Sequence, residues 1–327
     1  MMTAGQLKTI QKILVISLTN LGDVILTTPV LSALRANFPE AFISVLIGPK
    51  ADTLFQGSRT VDQVIIYNKR ALTWKQKIDM VRLLRKKQFD LVIDLRNTFI
   101  PYLIQARFQN SIFFRSQAVS MRKRHLDHLN FLGLTAAENH FDFFSEDDVK
   151  RYQIKLKENQ IQIESGFVVI APGAGSYLKR WKIDRFQEVA QFFSEQGKQV
   201  IVAGSEEEKE LGNEIKKSNG LLLNACGLFS LRELSVLLKE ASFVLACDSA
   251  IMHLANELRT PVVSIFGPTD SRKYAGEGSM NRVIRRELDC SPCELAHCKF
   301  ERQHCLEDIS SREVIKTCEE FLYAAAR

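Results

Sequence analysis

Two acidic residues in this chain follow apolar stretches of strand length and precede stretches of helical character. Asp23 comes after residues 12–18 and a short polar loop, and Asp248 comes directly after residues 243–247. In an open parallel sheet, ligands bind outside the carboxyl ends of the strands, beside helix N-termini. The two positions therefore predict a cleft between two α/β halves, with an acid on each wall. Such a site suits the transfer of a group from a nucleotide-activated donor.

Asp23 allows two interpretations. An aspartate here can simply cap the helix predicted over 24–37. It also follows Gly22, which lets a ligand approach the backbone closely. Three polar residues precede it, namely Ser17, Thr19 and Asn20. A carboxylate at a helix N-terminus stays ionised, as a general base must. The residues alone leave both roles open.

A loop of small residues follows the strand predicted over 166–171. It contains Ala174, Gly175 and Ser176, and the basic pair Lys179 and Arg180 comes next. Small residues expose backbone N–H groups to phosphate oxygens, and basic side chains add charge-assisted hydrogen bonds. The loop therefore predicts a diphosphate site, with an ordinary βα turn as the alternative. It is not a Walker loop, because the order Gly-Lys-Ser/Thr is absent.

Two further strand ends carry polar residues. Glu206 follows the strand predicted over 198–204, where an acid can hold ribose hydroxyls or can belong only to the first turn of a helix. Asp248 is followed by Ser249, Ala250 and, one helical turn on, His253. We leave open whether His253 contacts a ligand or packs within the fold, as most single helical histidines do.

Four of the seven cysteines lie within sixteen residues of one another. Cys290, Cys293, Cys298 and Cys305 are separated by two, four and six residues, with His297 and His304 between them. This spacing is typical of structural zinc sites, although only one pair has the C-x2-C form. Reduced thiols and disulfides are the alternatives, the latter disfavoured in cytosol. No surrounding pattern supports a catalytic cysteine.

Strand-length apolar runs alternate with amphipathic stretches, which predicts βαβ units and parallel sheets. Strands are predicted over 12–18, 41–47, 62–67, 90–95, 111–116, 166–171, 198–204, 221–225, 242–247, 261–266 and 282–286. Helices are predicted over 24–37, 74–88, 184–196, 205–218, 230–240, 250–258 and 310–327, and a further helix starts near Glu146. The alternation is interrupted over 117–160. We therefore predict one domain over 1–160, a second over 161–309, and a terminal helix over 310–327 that packs back on the first domain.

The composition is that of a globular protein, with 46% hydrophobic and 25% charged residues among 327. No apolar run reaches the roughly 18–20 residues that span a bilayer, and the N-terminus does not resemble a signal peptide. We expect a cytoplasmic protein without a nucleic-acid partner. Basic clusters occur at 82–87, 122–125 and 282–286. They are either solvated surfaces or sites that attract an anionic partner such as a membrane or a phosphorylated glycolipid.

Together these segments resemble the ADP-heptose:lipopolysaccharide heptosyltransferase family, glycosyltransferase family 9. The resemblance extends from about residue 12 to residue 320. It lies in Leu21–Leu31, Pro172–Ala174, Lys179–Trp181, Asp248–Ser249, Met252–Ala255, Phe266–Asp270 and the four-cysteine segment.

The resemblance implies an α/β protein of the GT-B fold, with two Rossmann-like doubly wound parallel-sheet domains facing across a cleft. It implies inverting transfer of heptose from ADP-L-glycero-β-D-manno-heptose to the inner core of lipopolysaccharide. The first domain would bind the lipopolysaccharide core acceptor and the second would bind ADP-heptose. The cysteine-rich segment and Thr27–Pro29 favour addition of the second or third heptose. A place at the cytoplasmic face of the inner membrane follows as an expectation.

The resemblance also implies roles for single residues. Asp23 would be the catalytic base, and the donor would be bound by Ala174, Gly175, Ser176, Lys179, Arg180, Glu206, Phe229, Asp248, Ser249, Ala250 and His253. Within that set Lys179 would contact phosphate, Glu206 the ribose, Phe229 the adenine and Asp248 the donor sugar. The family usually has glycine where this chain has Ala250, whose methyl group could crowd an amide beside the diphosphate.

The expected chemistry needs a base on the acceptor hydroxyl and groups that neutralise the negative charge of the leaving diphosphate. Asp23 would supply the first, and Lys179, with Arg180 and helix N-termini, would supply the second. The sequence contains no Asp-x-Asp, so we expect catalysis without a metal or other cofactor, structural zinc being a separate question. A transferase for another nucleotide sugar and a non-catalytic binding protein remain the alternatives.

Overall fold

The computed structural model describes residues 3–17, 20–68, 71–135, 140–163, 166–217 and 222–324. Thr19 lies outside the described residues, as do residues 18, 218, 221 and 325–327 at the ends of predicted elements. The chain divides into two compact units, Met1–Ser145 and Glu146–Arg327.

The first unit is a doubly wound parallel α/β structure. Its strands are β1 (Lys12–Ile16), β2 (Phe42–Ile47), β3 (Gln63–Ile66), β4 (Leu91–Asp94) and β5 (Phe108–Gln109). Its helices are α1 (Ala4–Leu7), α2 (Leu21–Ile25), α3 (Thr28–Asn37), α4 (Asp52–Phe55), α5 (Trp74–Lys86), α6 (Ile100–Leu103) and α7 (Met121–Leu132). The described strands form one five-stranded sheet in the order β3-β2-β1-β4-β5, and every pair is parallel. Residues 13–16 of β1 are fully buried, as expected of a strand covered on both faces.

The helix predicted over 24–37 is two helices, and Asp23 is not its N-cap. Asp23 lies in the first turn of α2, whose N-cap is Asn20, and α3 restarts at Thr28. Pro29 explains the break because it has no N–H to donate to the carbonyl of Ile25. The Thr28 hydroxyl donates to that carbonyl instead, at 2.8 Å.

The strand predicted over 111–116 is wrong. The fifth strand ends at Gln109, because the Asn110 side chain pairs with the backbone of Asp94 and diverts the chain from the sheet. Phe114 packs instead on α7, against His128 and Phe131. Helix α7 itself was missed by the sequence patterns.

The second unit is also doubly wound. Its strands are β6 (Val168–Ala171), β7 (Val200–Val202), β8 (Leu223–Asn224), β9 (Phe243–Cys247), β10 (Val262–Phe266) and β11 (Asn281–Arg285). Its helices are α8 (Glu146–Glu158), α9 (Ile183–Glu195), α10 (Lys209–Lys216), α11 (Leu231–Glu240), α12 (Ala250–Glu257), α13 (Ser271–Tyr274), α14 (His304–Glu307) and α15 (Ser311–Ala324). The described strands form a six-stranded parallel sheet in the order β11-β10-β9-β6-β7-β8.

The division between the units falls after Ser145, fifteen residues before the predicted limit at 160. Helix α8 belongs to the second unit because it packs against α11. Asp148 of α8 and Arg232 of α11 are both buried, and Arg232 Nε donates to Asp148 Oδ2 at 2.9 Å. A buried carboxylate of this kind requires a cationic partner.

The terminal helix packs on the second unit, and its predicted contact with the first stays a prediction. Val314 and Cys318 of α15 are fully buried in the core formed with β9, β10 and α9. None of the described helices is long and apolar enough to cross a membrane.

Asp148→Ala should destabilise the second unit by roughly 3–5 kcal/mol, because it leaves the Arg232 guanidinium buried without its carboxylate. Urea unfolding followed by the fluorescence of Trp181, in a Trp74→Phe background, measures this.

Asp147→Ala is the matched control, since the Asp147 side chain is largely exposed and pairs with Lys150 across one helical turn. Its effect should stay within about 0.5 kcal/mol. Equal effects of the two substitutions would contradict the role assigned to Asp148.

Candidate functional site

The second sheet changes direction between β6 and β9. The chain runs outward from β6 through β7 to β8 on one side, and from β9 through β10 to β11 on the other. Ala171 pairs with Ala246 in register, so the loops after β6 and β9 leave the sheet side by side. Ligands of doubly wound sheets bind at this kind of switch point.

Lys179 and Asp248 meet there. Lys179 Nζ lies 2.7 Å from Asp248 Oδ2, with the lysine side chain 33% exposed and the aspartate 4% exposed. Asp248 Oδ2 is buried, and in the described part of the chain this ion pair is its polar contact. The structure thus brings together two of the predicted donor-binding residues and leaves a third of the lysine side chain exposed.

The residues around Asp248 begin α12. The Ser249 hydroxyl accepts a hydrogen bond from the Met252 N–H and is the N-cap. Ala250 is the first helical residue, a right-handed conformation that needs no glycine. His253 is buried, and its Nε2 lies 4.0 Å from Asp248 Oδ1. The predicted cluster after β9 is therefore compact and pre-formed.

The small-residue loop after β6 is held by Arg180. Its Nε and Nη2 both donate to the carbonyl of Ala174, at 3.1 and 3.0 Å. Ala174 is buried, whereas Gly175 is exposed with open space where a Cβ would point. The Ser176 hydroxyl caps the short 3₁₀ turn Tyr177–Lys179. Arg180 thus stabilises the loop, and Lys179 carries the charge available to a ligand.

An acid that the sequence analysis did not select lies against this loop. The Glu208 carboxylate occupies the space beside Gly173, where an added Cβ would meet Oε1 at 1.8 Å. Glu208 Oε2 also accepts from the Ser205 N–H at 2.8 Å. Glu206, the predicted ribose ligand, lies beyond the end of β7, the strand next to β6. It is exposed and lies against Gly227 and Lys209. The capping-box spacing of Ser205 and Glu208 was the signal that could have found Glu208.

Phe229 follows β8 and is half-buried. Its ring packs on Tyr152 of α8, with centroids 5.2 Å apart. It therefore lies at the strand end beyond Glu206, on the same edge of the second sheet as the small-residue loop after β6.

In the first unit, the switch point lies between β1 and β4. Asp23 follows β1 and is half-buried, while Asp94 ends β4 and is buried. The Asp94 carboxylate accepts hydrogen bonds from the Arg96 N–H and from both the N–H and the hydroxyl of Thr98. Burial raises the pKa of Asp94 despite these bonds. Asp94 thus anchors its own loop, and Asp23 is the better candidate for a base that meets a ligand.

Helix α7 supplies two buried histidines, of which His125 lies close to Asp23. His125 Nδ1 donates to the carbonyl of Leu26, at 3.2 Å, where α2 ends. Burial lowers the pKa of His125, and the Asp23 carboxylate opposes that effect. Burial, then the charge of His125, lowers the pKa of His128 to about 4. Both rings are therefore neutral near pH 7, and the basic cluster 122–125 is not wholly a solvated surface.

Three successive carbonyls at the end of α2 are bonded by side chains. Thr27 Oγ1 donates to Val24, Thr28 Oγ1 to Ile25 and His125 Nδ1 to Leu26. Carbonyls at a helix end lack partners within the helix. These bonds fix the short helix that carries Asp23.

The four clustered cysteines face one cavity of about 570 Å³, with His297 and His304 also in its wall. Cys305 is buried and the other three are exposed. Within the ranges that the structure describes, no group of three or more His, Cys, Asp or Glu side chains is arranged to hold a metal ion. Zinc binding therefore stays a prediction, and it would require the thiols to close around the ion.

The profile of glycosyltransferase family 9 (heptosyltransferase) matches residues 78–304. This segment contains Lys179 and Asp248, while Asp23 precedes it. Lipopolysaccharide heptosyltransferase 3 of Escherichia coli is 28% identical over 282 residues, 76% of this chain and 80% of that protein. Lipooligosaccharide heptosyltransferase 2 of Campylobacter jejuni is 26% identical over 309 residues, 91% of this chain and 95% of that protein.

The fold is similar to that of a crystallised glycosyltransferase family 9 protein from Veillonella parvula. The TM-score is 0.79 at 21% identity, over 96% of this chain and 97% of that one. This likeness, with the two parallel-sheet units, confirms the predicted GT-B fold.

Lys179→Ala should lower kcat and raise the KM for the nucleotide donor, by roughly 10–150-fold in kcat/KM, the value of a charge-assisted hydrogen bond. Lys179→Arg should retain only part of the wild-type kcat/KM, because the planar guanidinium of arginine is longer than the ammonium that pairs with Asp248. Steady-state kinetics measures both.

Lys182→Ala is the control, because Lys182 lies three residues on, is half exposed and pairs with Glu307. Its kinetics should match the wild type. Wild-type kinetics for Lys179→Ala would remove this lysine from the site.

If the cysteine segment binds zinc, protein purified without chelator should contain about one equivalent of metal, and Cys293→Ser should lower both metal content and thermal stability. Elemental analysis and thermal unfolding measure these effects. Cys226→Ala, at a thiol in the core of the second unit, should leave the metal content unchanged. Metal-free protein with the clustered thiols titratable would reject zinc.

Proposed function

Because the chain belongs to glycosyltransferase family 9 (heptosyltransferase), we propose that it transfers heptose from ADP-L-glycero-β-D-manno-heptose to the inner core of lipopolysaccharide. The observation that carries the proposal is the Lys179–Asp248 pair beside a small-residue loop at the switch point of the second sheet. A nucleotide diphosphate sugar needs this combination, a cation for the phosphates next to an acceptor for sugar hydroxyls.

The second unit binds the donor. The diphosphate lies against the exposed backbone at Gly175 and the Lys179 ammonium, which gains a second anion when the ligand enters. Asp248 accepts hydrogen bonds from heptose hydroxyls through the carboxylate that already holds Lys179. Glu206 and Phe229, at the two strand ends beyond the phosphate loop, contact the ribose and the adenine.

The first unit binds the acceptor. Arg96 and Arg124 both lie close enough to His125 to lower its pKa, and Asp23 lies close to the same ring. Arg96 is exposed. The base therefore stands among cationic side chains, which suits an anionic glycolipid core rather than a neutral sugar.

Transfer is a single displacement that inverts the anomeric centre. Asp23 takes the proton of the acceptor hydroxyl, whose oxygen bonds to the anomeric carbon while the bond from that carbon to the diphosphate oxygen breaks. ADP leaves as Lys179 and the loop amides stabilise the charge that develops on it. The sequence lacks Asp-x-Asp, so we propose that this step needs no metal ion.

The acceptor is the core to which a second or third heptose is added. Thr27–Pro29, at the break between α2 and α3, and the cysteine segment support this choice. Two of the relatives are named heptosyltransferases 3 and 2. The reaction would take place at the cytoplasmic face of the inner membrane, where the glycolipid core is available.

Asp23→Asn should lower kcat by about 10²–10⁴-fold, the usual contribution of a general base, while ADP binding stays near that of the wild type. The assay is ADP release from ADP-heptose with a panel of truncated core acceptors, and calorimetry measures ADP binding. Release with one acceptor alone identifies the core sugar.

Asp52→Asn is the control, because Asp52 also lies in the first turn of a short helix of the first unit. It should retain full activity. Activity of Asp23→Asn within a few-fold of the wild type would leave Asp23 as a helix residue only, and release of another nucleotide would overturn the donor assignment.

A further inference from the structure

One face of the first unit exposes apolar side chains that the core does not use. On α5, Trp74 is 81% exposed, and Ile78, one helical turn further on, is about half exposed. On α6, Tyr102 and Leu103 are exposed to a similar degree. Isolated exposed apolar residues are ordinary, but a group of this size on two adjoining helices marks an interaction surface.

The two helices are neighbours. Met80 and Val81 of α5 pack with Ile100 of α6 on one buried cluster of the sheet. Arg85 Nη2 donates to Gln105 Oε1, at 2.6 Å, just after α6. We call the outward side of this pair the α5–α6 face.

The α5–α6 face is strongly basic. Helix α5 carries Lys75, Lys77, Arg82, Arg85 and Lys86 against a single acid, Asp79. Lys77 Nζ lies over the Trp74 ring, 5.3 Å from its centroid. A helix with cations and exposed tryptophan and aliphatic residues is typical of segments that lie in the headgroup region of an anionic bilayer.

The position of the α5–α6 face agrees with this. Helix α5 begins beyond the carboxyl end of β3, and α6 begins beyond that of β4. Asp23 follows the carboxyl end of β1, the neighbour of β4. The N-terminal ends of both helices thus lie at the sheet edge that carries the proposed base.

We propose that the first unit docks on an anionic phospholipid bilayer through the α5–α6 face, with Trp74 and Ile78 inserted among the headgroups and the basic residues paired with lipid phosphates. The inference rests on the proposed function in one respect. That function supplies the reason for docking, because its acceptor is anchored in a membrane. Docking would hold the sheet edge with Asp23 near the glycolipid headgroup.

The test uses the full chain and vesicles of phosphatidylethanolamine and phosphatidylglycerol, with phosphatidylcholine vesicles for comparison. Trp74 and Trp181 are the two tryptophans of the chain, and Trp181 is only 2% exposed. Anionic vesicles should therefore shift tryptophan emission to shorter wavelength, and Trp74→Phe should abolish the shift. An unchanged spectrum with the wild type would overturn the proposal.

Co-sedimentation with the same vesicles measures affinity. Lys75→Gln with Arg82→Gln should weaken binding about 25-fold, at about fivefold for each cation near an anionic surface. Trp74→Ser with Ile78→Ser should weaken it by at least about tenfold through lost apolar insertion. Ile154→Ser, at an exposed isoleucine on α8 of the second unit, should bind like the wild type.

Loss of binding in Ile154→Ser, or its retention in both double variants, would contradict docking through this face. Sedimentation velocity without lipid tests a second copy of the chain as the occupant: dissociation of an oligomer by Trp74→Ser with Ile78→Ser would overturn the membrane assignment. ADP release with a deacylated, soluble acceptor separates the two proposals. The docking variants should keep that activity. If the wild type itself transfers no heptose to this acceptor, only the proposed function is overturned.

Discussion

The ion pair between Lys179 and Asp248 is the interaction on which the second unit's site depends. A carboxylate as buried as that of Asp248 is stable only beside a cation, and the pairing of β6 with β9 puts Lys179 within reach. The neighbouring Arg180 bonds instead to the Ala174 carbonyl. The hydrogen bonds within the loop therefore explain why Lys179 pairs with Asp248 while Arg180 holds the loop. A ligand meets an ammonium group already held in place, which lowers the cost of ordering it.

In the first unit, Asp23 lies on a helix of only five residues. Such a helix has little stability of its own. The threonine hydroxyls at its end and the His125 ring bond its last carbonyls, and Pro29 prevents it from merging with α3. Burial keeps His125 neutral, so the ring adds a hydrogen bond near Asp23 without adding a full positive charge. The acid is thereby fixed in position while it remains half-exposed.

Local patterns predicted most of this fold. Where both ends are described, the buried strands lie within two residues of their predicted limits, because continuous apolar runs bounded by small residues carry their own signal. The fifth strand was misplaced, since residues 111–116 resemble a strand, whereas Phe114 packs on a helix. Strand-end arguments placed Lys179 and Asp248 each beyond the carboxyl end of a strand, but did not predict that their side chains pair. They could not find Glu208, Asp94 or His125, whose contacts depend on loop conformations and on residues far away in sequence.

Trp181 joins parts of the second unit that are distant in the chain. Its backbone N–H donates to Cys247 Sγ, and its ring Nε1–H donates to the carbonyl of Ile309, 128 residues further on. Val314 and Cys318 then close the core against the sheet. During synthesis on the ribosome, the loop that carries Lys179 therefore emerges long before the residues that support it. The first unit has all of its strands by Gln109 and closes at Ser145, so it can fold while the second unit is still being translated. The order of assembly is set by where α15 lies in the chain, and a ribosome paused before Ile309 would carry one finished domain and an open second sheet.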